Sequence, residues 1–174
     1  MLCLINTTKQ RKNNLISGIG LNGQSPFKTK RKEIGMRITL ESDYALRILT
    51  ELAEHDDVVD ANTLSVATSV TIRFTLKILN KLVKNGFVSS YKGARGGYKL
   101  KRPMHEITLK SVIELIDGPI VIARCLENSE GCSLNQDKTA CTYHHIFSTI
   151  SLDVAKKLEA ITIADVIDKK YTLA

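Results

Sequence analysis

From Met36 onward, apolar residues recur with a helical period in segments separated by short polar breaks. In ESDYALRILTELAEH, Tyr44, Ala45, Ile48, Leu49 and Leu52 fall on one face and predict a core helix. A short strand-like Arg37-Ile38-Thr39 is expected before it, and Asp56-Asp57 ends it. A second short helix is expected from about Asn62 to Ser69 with Leu64 and Ala67 inward, followed by a turn at Ser69-Val70. Thr71 is placed to cap a third helix, IRFTLKILNKLVKN, with Ile72, Leu76, Leu79 and Val83 as its apolar stripe. Arg73, Thr75, Lys77, Asn80, Lys81 and Lys84 then point elsewhere, and Gly86 closes the helix.

Phe87 to Tyr91 and Tyr98 to Leu100 read as two short strands joined by KGARGG. Past Pro103, Thr108 caps LKSVIELID, with Leu109, Val112, Ile113 and Ile116 inward, and Gly118-Pro119 stops it. Further on, Ile146, Ile150, Val154 and Leu158 recur every four residues, with Phe147 and Ile161 beside them. They predict a helix of roughly twenty residues starting near Cys141, wider on its apolar side than one core needs, which points to a partner helix. Thr162 caps a last turn, Ile163 to Ile167.

The fold class expected from this order is mainly α with a small β-hairpin wing. Two helices, a tight turn and a third helix with a polar, basic face form a helix-turn-helix, and the hairpin is the wing. Residues 36–102 would be the winged helix-turn-helix DNA-binding domain, and 103–174 would hold a cysteine loop (125–145) and a long C-terminal dimerisation helix. At the wing tip, Gly93, Gly96 and Gly97 would take φ > 0 and let the backbone approach a phosphate or minor groove, with Lys92 and Arg95 beside them. The residues expected to meet DNA are therefore Thr71, Arg73, Thr75, Lys77, Asn80, Lys81, Lys84, Lys92 and Arg95. An ordinary hairpin with a solvated tip is the plainer alternative.

Charge sharpens this picture. The formal charge is +7, of which residues 1–35 carry a net +6. Within the rest, 61–102 has nine Lys/Arg and no Asp or Glu, between acidic flanks of net −5 at 36–60 and −3 at 103–174. A stretch free of acids suits a polyanion such as double-stranded DNA. Residues 1–35 show no sustained period and predict a disordered basic tail, with Met36 an alternative start; Cys3 there is an incidental thiol. No stretch approaches the ~20 apolar residues of a membrane span, so a soluble, cytoplasmic protein with no membrane partner is expected. No nucleophile-base constellation, phosphate loop or nucleotide fingerprint is present, which argues against an enzyme.

Three of the four cysteines lie in CLENSEGCSLNQDKTACTYHH. Six residues separate Cys125 from Cys132, eight separate Cys132 from Cys141, and two separate Cys141 from His144. In a reducing cytosol such cysteines read as ligands or redox groups before disulfides. Three thiolates with a weaker fourth ligand suit an iron-sulfur cluster that senses; zinc and metal-free redox-active thiols stay open, as does a cluster-carrying electron-transfer protein.

The order MRIT-x-x-x-DYALRIL, helix-turn-helix, NGFVSS-x-x-GARGGYKL, a capped helix ending DGP, a three-cysteine loop, a long helix and TIADVI resembles the Rrf2 family of bacterial winged-helix transcription regulators. That family includes the iron-sulfur-biogenesis and nitric-oxide-sensing repressors, and the resemblance covers 36 to about 168. It implies a homodimer whose long helices cross, a palindromic operator, and a two-iron or four-iron cluster held by Cys125, Cys132 and Cys141. By the same resemblance His144 is the fourth ligand. The gaps between the cysteines are wider than the family's usual ones, which leaves His145, Glu127, Glu130, Asp137 or an acidic group of the partner as alternatives.

Overall fold

The computed structural model describes residues 38–93, 95–127 and 140–171. Helix α1 spans Leu40–Ala53, and the Thr39 hydroxyl caps it by accepting from the Ser42 N–H. Ile38 and Thr39 therefore form a helix entry and not the strand expected there; Thr39 is extended, but among the described residues no strand pairs with it. Helix α2, Ala61–Ala67, starts from Asp60, whose carboxylate accepts from the backbone of Asn62 and Thr63. The Thr63 hydroxyl, which donates to the same carboxylate at 2.6 Å, and then these backbone hydrogen bonds hold the Asp60 carboxyl below its usual range. Leu64 is buried as expected, whereas Ala67 is exposed: one turn of α2 touches the core and the next has left it.

Ser69 makes the turn with a positive φ of 55°, and α3 follows as Ile72–Lys84. The buried side chains of α3 are Thr75, Ile78, Leu79 and Leu82, not the expected Ile72, Leu76, Leu79 and Val83. The observed set has the i, i+3, i+4, i+7 spacing of a single helical face, so the stripe is turned by about a quarter of the helix circumference. Ile72 and Leu76 consequently stand exposed. Asn85 ends the helix, and Gly86 follows with φ +72°.

The hairpin pairs β1, Val88–Tyr91, with β2, Gly97–Leu100, antiparallel in the register Val88 to Leu100 and Tyr91 to Gly97. Val59 and Tyr98 exchange backbone hydrogen bonds of 2.9 and 2.8 Å, which ties the hairpin to the segment between α1 and α2. After a single 3-10 turn at Met104–Glu106, α4 runs Leu109–Asp117, capped by Thr108 and ended by Gly118 at φ +88°.

A short helix, α5, covers Arg124–Glu127, and α6, Thr142–Glu159, is the 18-residue helix that the apolar period anticipated. Helix α7, Ile163–Ile167, opens with a reciprocal capping box between Thr162 and Asp165.

One core joins these parts. Ala45, Ile48, Leu49 and Leu52 of α1, Leu64 of α2, Ile78, Leu79 and Leu82 of α3, Phe87 and Val88 of the hairpin, Val112 of α4 and Ile163 of α7 all pack into it. Each fully buried Leu or Ile contributes about 1.5–3 kcal/mol relative to its exposed state. Among the described residues no helix is long and apolar enough to cross a membrane.

Candidate nucleic-acid interface and cysteine loop

The structure sorts the residues expected to meet DNA by their surroundings. Arg73 on the first turn of α3, Asn80 in its middle and Lys84 on its last turn are exposed. Thr71 is exposed at the N-cap position and makes no side-chain cap hydrogen bond. Thr75 is different: it is 0% exposed, and its hydroxyl donates to the Thr71 carbonyl at 3.2 Å. The rotation of the apolar stripe carries Thr75 into the core, so it leaves the set of residues able to touch a ligand.

Lys77 and Lys81 are held by one carboxylate. Glu41 Oε2 accepts from Lys77 Nζ at 2.8 Å, and Glu41 Oε1 lies 2.6 Å from Lys81 Nζ. Hydrogen bonding to Lys77, and then to Lys81, holds the Glu41 carboxyl below its usual range. Sequence reasoning missed Glu41 because an acid in the first turn of a helix is ordinary complement to the helix dipole.

Lys92 and Arg95 are exposed at the hairpin turn. Of the three glycines there, only Gly93 has positive φ, at +109°. Gly96 and Gly97 were expected to free the backbone for a close approach, but they serve internal packing: a Cβ on Gly96 would stand 2.5 Å from the Tyr91 carbonyl oxygen, and one on Gly97 2.5 Å from that of Val59. Arg102, also in the acid-free stretch, lies over the Phe87 ring at 4.2 Å and donates to the Asn85 carbonyl. It is an internal brace.

At the cysteine segment, Cys125 sits in α5 and Cys141 is the N-cap of α6; both are free thiols, half-buried. The start of the segment is therefore helical, not loop. Cys132, Glu130 and Asp137 lie outside the described residues, as do Cys3, Met36 and Arg37. Helix α5 packs against α6. Ser151, buried on α6, accepts from the Ile122 N–H at 3.2 Å and donates to the Phe147 carbonyl at 2.8 Å, which docks the chain entering α5. Leu126 and His144 line one depression, together with Glu114, Ser148 and Ser151.

The two ends of the cysteine segment are thus carried on packed elements. Among the described residues His144 Nδ1 is buried with no hydrogen-bond partner, whereas His145 is exposed, as is Glu127. Among the described residues no three His, Cys, Asp or Glu side chains converge on one point. By residue type, Cys125, Cys141 and His144 are soft donors of the kind that suits iron-sulfur or zinc chemistry.

A helix-turn-helix with a two-stranded wing, followed by a capped helix, a cysteine segment and a long helix, defines a winged-helix regulator. Residues 38–169 match the family described as Rrf2, iron-dependent transcriptional regulator, and the chain belongs to that family. It is 28% identical over 140 residues to the HTH-type transcriptional regulator IscR of Yersinia pestis, covering 79% of this chain and 83% of the relative. The fold is shared with CymR of B. subtilis, titled the global cysteine regulator, at TM-score 0.64 and 22% identity over 80% of this chain and all of that one. It is likewise shared with T. potens IscR, at TM-score 0.63 and 20% identity over 80% of this chain and 93% of that one. The chain is a DNA-binding transcriptional regulator rather than an enzyme.

Proposed function

We propose that this regulator reads a palindromic operator as a homodimer and is switched by an inorganic group or oxidant acting at Cys125, Cys132 and Cys141, with His144 the fourth donor. The observation that carries the sensing part is the placement of Cys125 on α5 and Cys141 at the N-cap of α6, two packed elements that bring the ends of one cysteine-bearing segment onto the same helix. The buried, unpartnered Nδ1 of His144 supports its assignment. Cys125, Cys132, Cys141 and His144 would hold an iron-sulfur cluster, and such a group would supply redox-active iron at that point. The chain's own part is to link chemistry at the cysteines to the start of α6 through Cys141 and to the α5 approach through Ser151. Regulation follows only where the two states differ in DNA affinity.

The α3 helix is the recognition helix, with Thr71, Arg73, Asn80, Lys81, Lys77 and Lys84 on or beside its outer surface and Lys92 and Arg95 on the wing. Dimerisation is supported by α6, where Ile146 and Ile150 are 46% and 42% exposed on the face predicted to take a partner helix. Anaerobic purification followed by iron analysis, visible absorption and operator binding tests the sensing reading. Iron and absorption that vanish with Cys125→Ala and with Cys141→Ala, accompanied by altered DNA affinity, support it. No iron and indifference of DNA binding to both substitutions overturn it. Iron-free protein whose DNA binding still changes on thiol oxidation gives the second reading, a thiol switch, for which the two free half-buried cysteines speak. Sedimentation of Ile150→Asp at micromolar concentration checks the dimer: dissociation is expected, and an unchanged dimer moves the interface elsewhere.

A further inference from the structure

The acid-free stretch from residue 61 to 102 takes its counter-ion from outside, because Glu41 of α1 reaches across to α3. Lys77 and Lys81 stand one turn apart on one face of α3, which lets a single carboxylate engage both, at 2.8 and 2.6 Å. The Glu41 side chain is 22% exposed, against 53% for Lys77 and 38% for Lys81, so the anion sits beneath and the cations reach the surface. The two lysines hold the carboxyl below its usual range, and it is ionised near neutrality.

An exposed ion pair adds little to folding stability. Its effect on a polyanion partner is larger in kind, since phosphate binding depends on the number of cations free to displace counter-ions from DNA. Arg73 and Lys84 flank the pair on the same helix, exposed, with no acid in α3 itself.

We propose that Glu41 is an internal counter-ion of the recognition helix, and that Lys77 and Lys81 exchange its carboxylate for DNA phosphates on binding. Glu41 thereby lowers the phosphate-driven, sequence-independent part of DNA affinity. The inference rests on α3 facing DNA.

Fluorescence anisotropy of the full chain with a random-sequence duplex, across a salt series, tests it. Glu41→Gln removes the charge and keeps the shape. Its affinity at low salt is expected to rise, and the slope of log affinity against log salt to steepen by roughly 1 to 2. Between about 50 and about 200 mM salt, the loss of affinity then widens by about tenfold relative to the parent. Lys77→Gln with Lys81→Gln is expected to weaken binding less while Glu41 is present than in the Glu41→Gln background, where it abolishes the gain.

Unchanged or weaker binding by Glu41→Gln, with Arg73→Ala still weakening the complex, overturns the counter-ion role alone. If Arg73→Ala and Lys84→Ala are also without effect, the placement of α3 on DNA fails with it. Should Glu41→Gln not fold, the lysine pair decides: a loss as large as that of Arg73→Ala with Lys84→Ala, in the presence of Glu41, overturns the proposal.

Discussion

The Asp117 carboxylate, at the end of α4, accepts a hydrogen bond from the Ser42 hydroxyl of α1 at 2.8 Å, across 75 positions of sequence. The same carboxylate accepts from the Thr39 N–H at 3.2 Å and from the Thr39 hydroxyl. One acid therefore organises the start of the helix that carries Glu41, from a position just ahead of the segment leading to Cys125. Ser42 is fully buried, so its hydroxyl has no water to turn to. Asp117→Ala is expected to lower stability by about 1–3 kcal/mol, the cost of a buried polar group left unpaired. Urea unfolding measures it, and a midpoint that does not move would mean that Ser42 and Thr39 find other partners.

Thr75 separates packing from DNA contact within one helix. Thr75→Val keeps the buried shape and removes a hydroxyl bonded to the Thr71 carbonyl. A loss of about 0.5–1.5 kcal/mol in stability is expected, with the salt dependence of DNA binding unchanged. Arg73→Ala should show the opposite pattern, with stability kept and DNA affinity reduced. A Thr75→Val protein that is fully stable but binds DNA poorly would put the hydroxyl on the outer surface.

Gly97 tests the wing's attachment. A Cβ there would meet backbone, the Val59 oxygen at 2.5 Å, at the point where Val59 and Tyr98 exchange hydrogen bonds. Gly97→Ala is expected to cost about 1–3 kcal/mol through overpacking. Amide exchange of Tyr98 and Val59 should accelerate most, and a protected Tyr98 amide in the variant would refute the steric argument.

The C-terminal capping box has a signed pH dependence. Hydrogen bonding from Lys170, then from Thr162, holds the Asp165 carboxyl well below its ordinary 3.8. A depressed folded-state value means that the carboxylate's contribution is complete above the unfolded value and is lost as pH falls through the folded one. The stability difference between the parent and Asp165→Asn should therefore be constant from neutrality down to about pH 4 and shrink in stronger acid. Thermal unfolding over that range reads it, and a difference that grows in acid contradicts the assignment.

The parts legible in the sequence are those set by neighbours in the chain. Thr108 before LKSVIELID and Gly118 after it give α4 its ends, and GARGG between β-forming runs gives the hairpin. The α6 helix follows from four apolar residues at constant spacing. In α3 the pattern is ambiguous because apolar residues occur at 72, 74, 76, 78, 79, 82 and 83, nearly around the helix. Two stripes fit it, and choosing the one that keeps Thr75 outside puts Ile72 and Leu76 in the wrong place. The links made by Glu41 and Asp117 cross 36 and 75 positions, and nothing local marks either acid for its partner. Gly96 and Gly97 were recognisable as necessary but not as packed: only the approach of the Val59 and Tyr91 carbonyls distinguishes close contact from a free turn.

Helix α6 is fastened at its middle and just beyond its C-terminal end. At its middle Ser151 takes the Ile122 N–H, and beyond its last turn the Ile161 carbonyl accepts from the Leu109 N–H while the Ile163 N–H donates to Ile107, with Ile163 itself in the core. It resembles a beam clamped at two supports more than an arm on a hinge. Under the proposed sensing role, a twist applied where Cys141 begins it would be carried, through Ile163, to the packing between α1 and α7 rather than spent in swinging the far end.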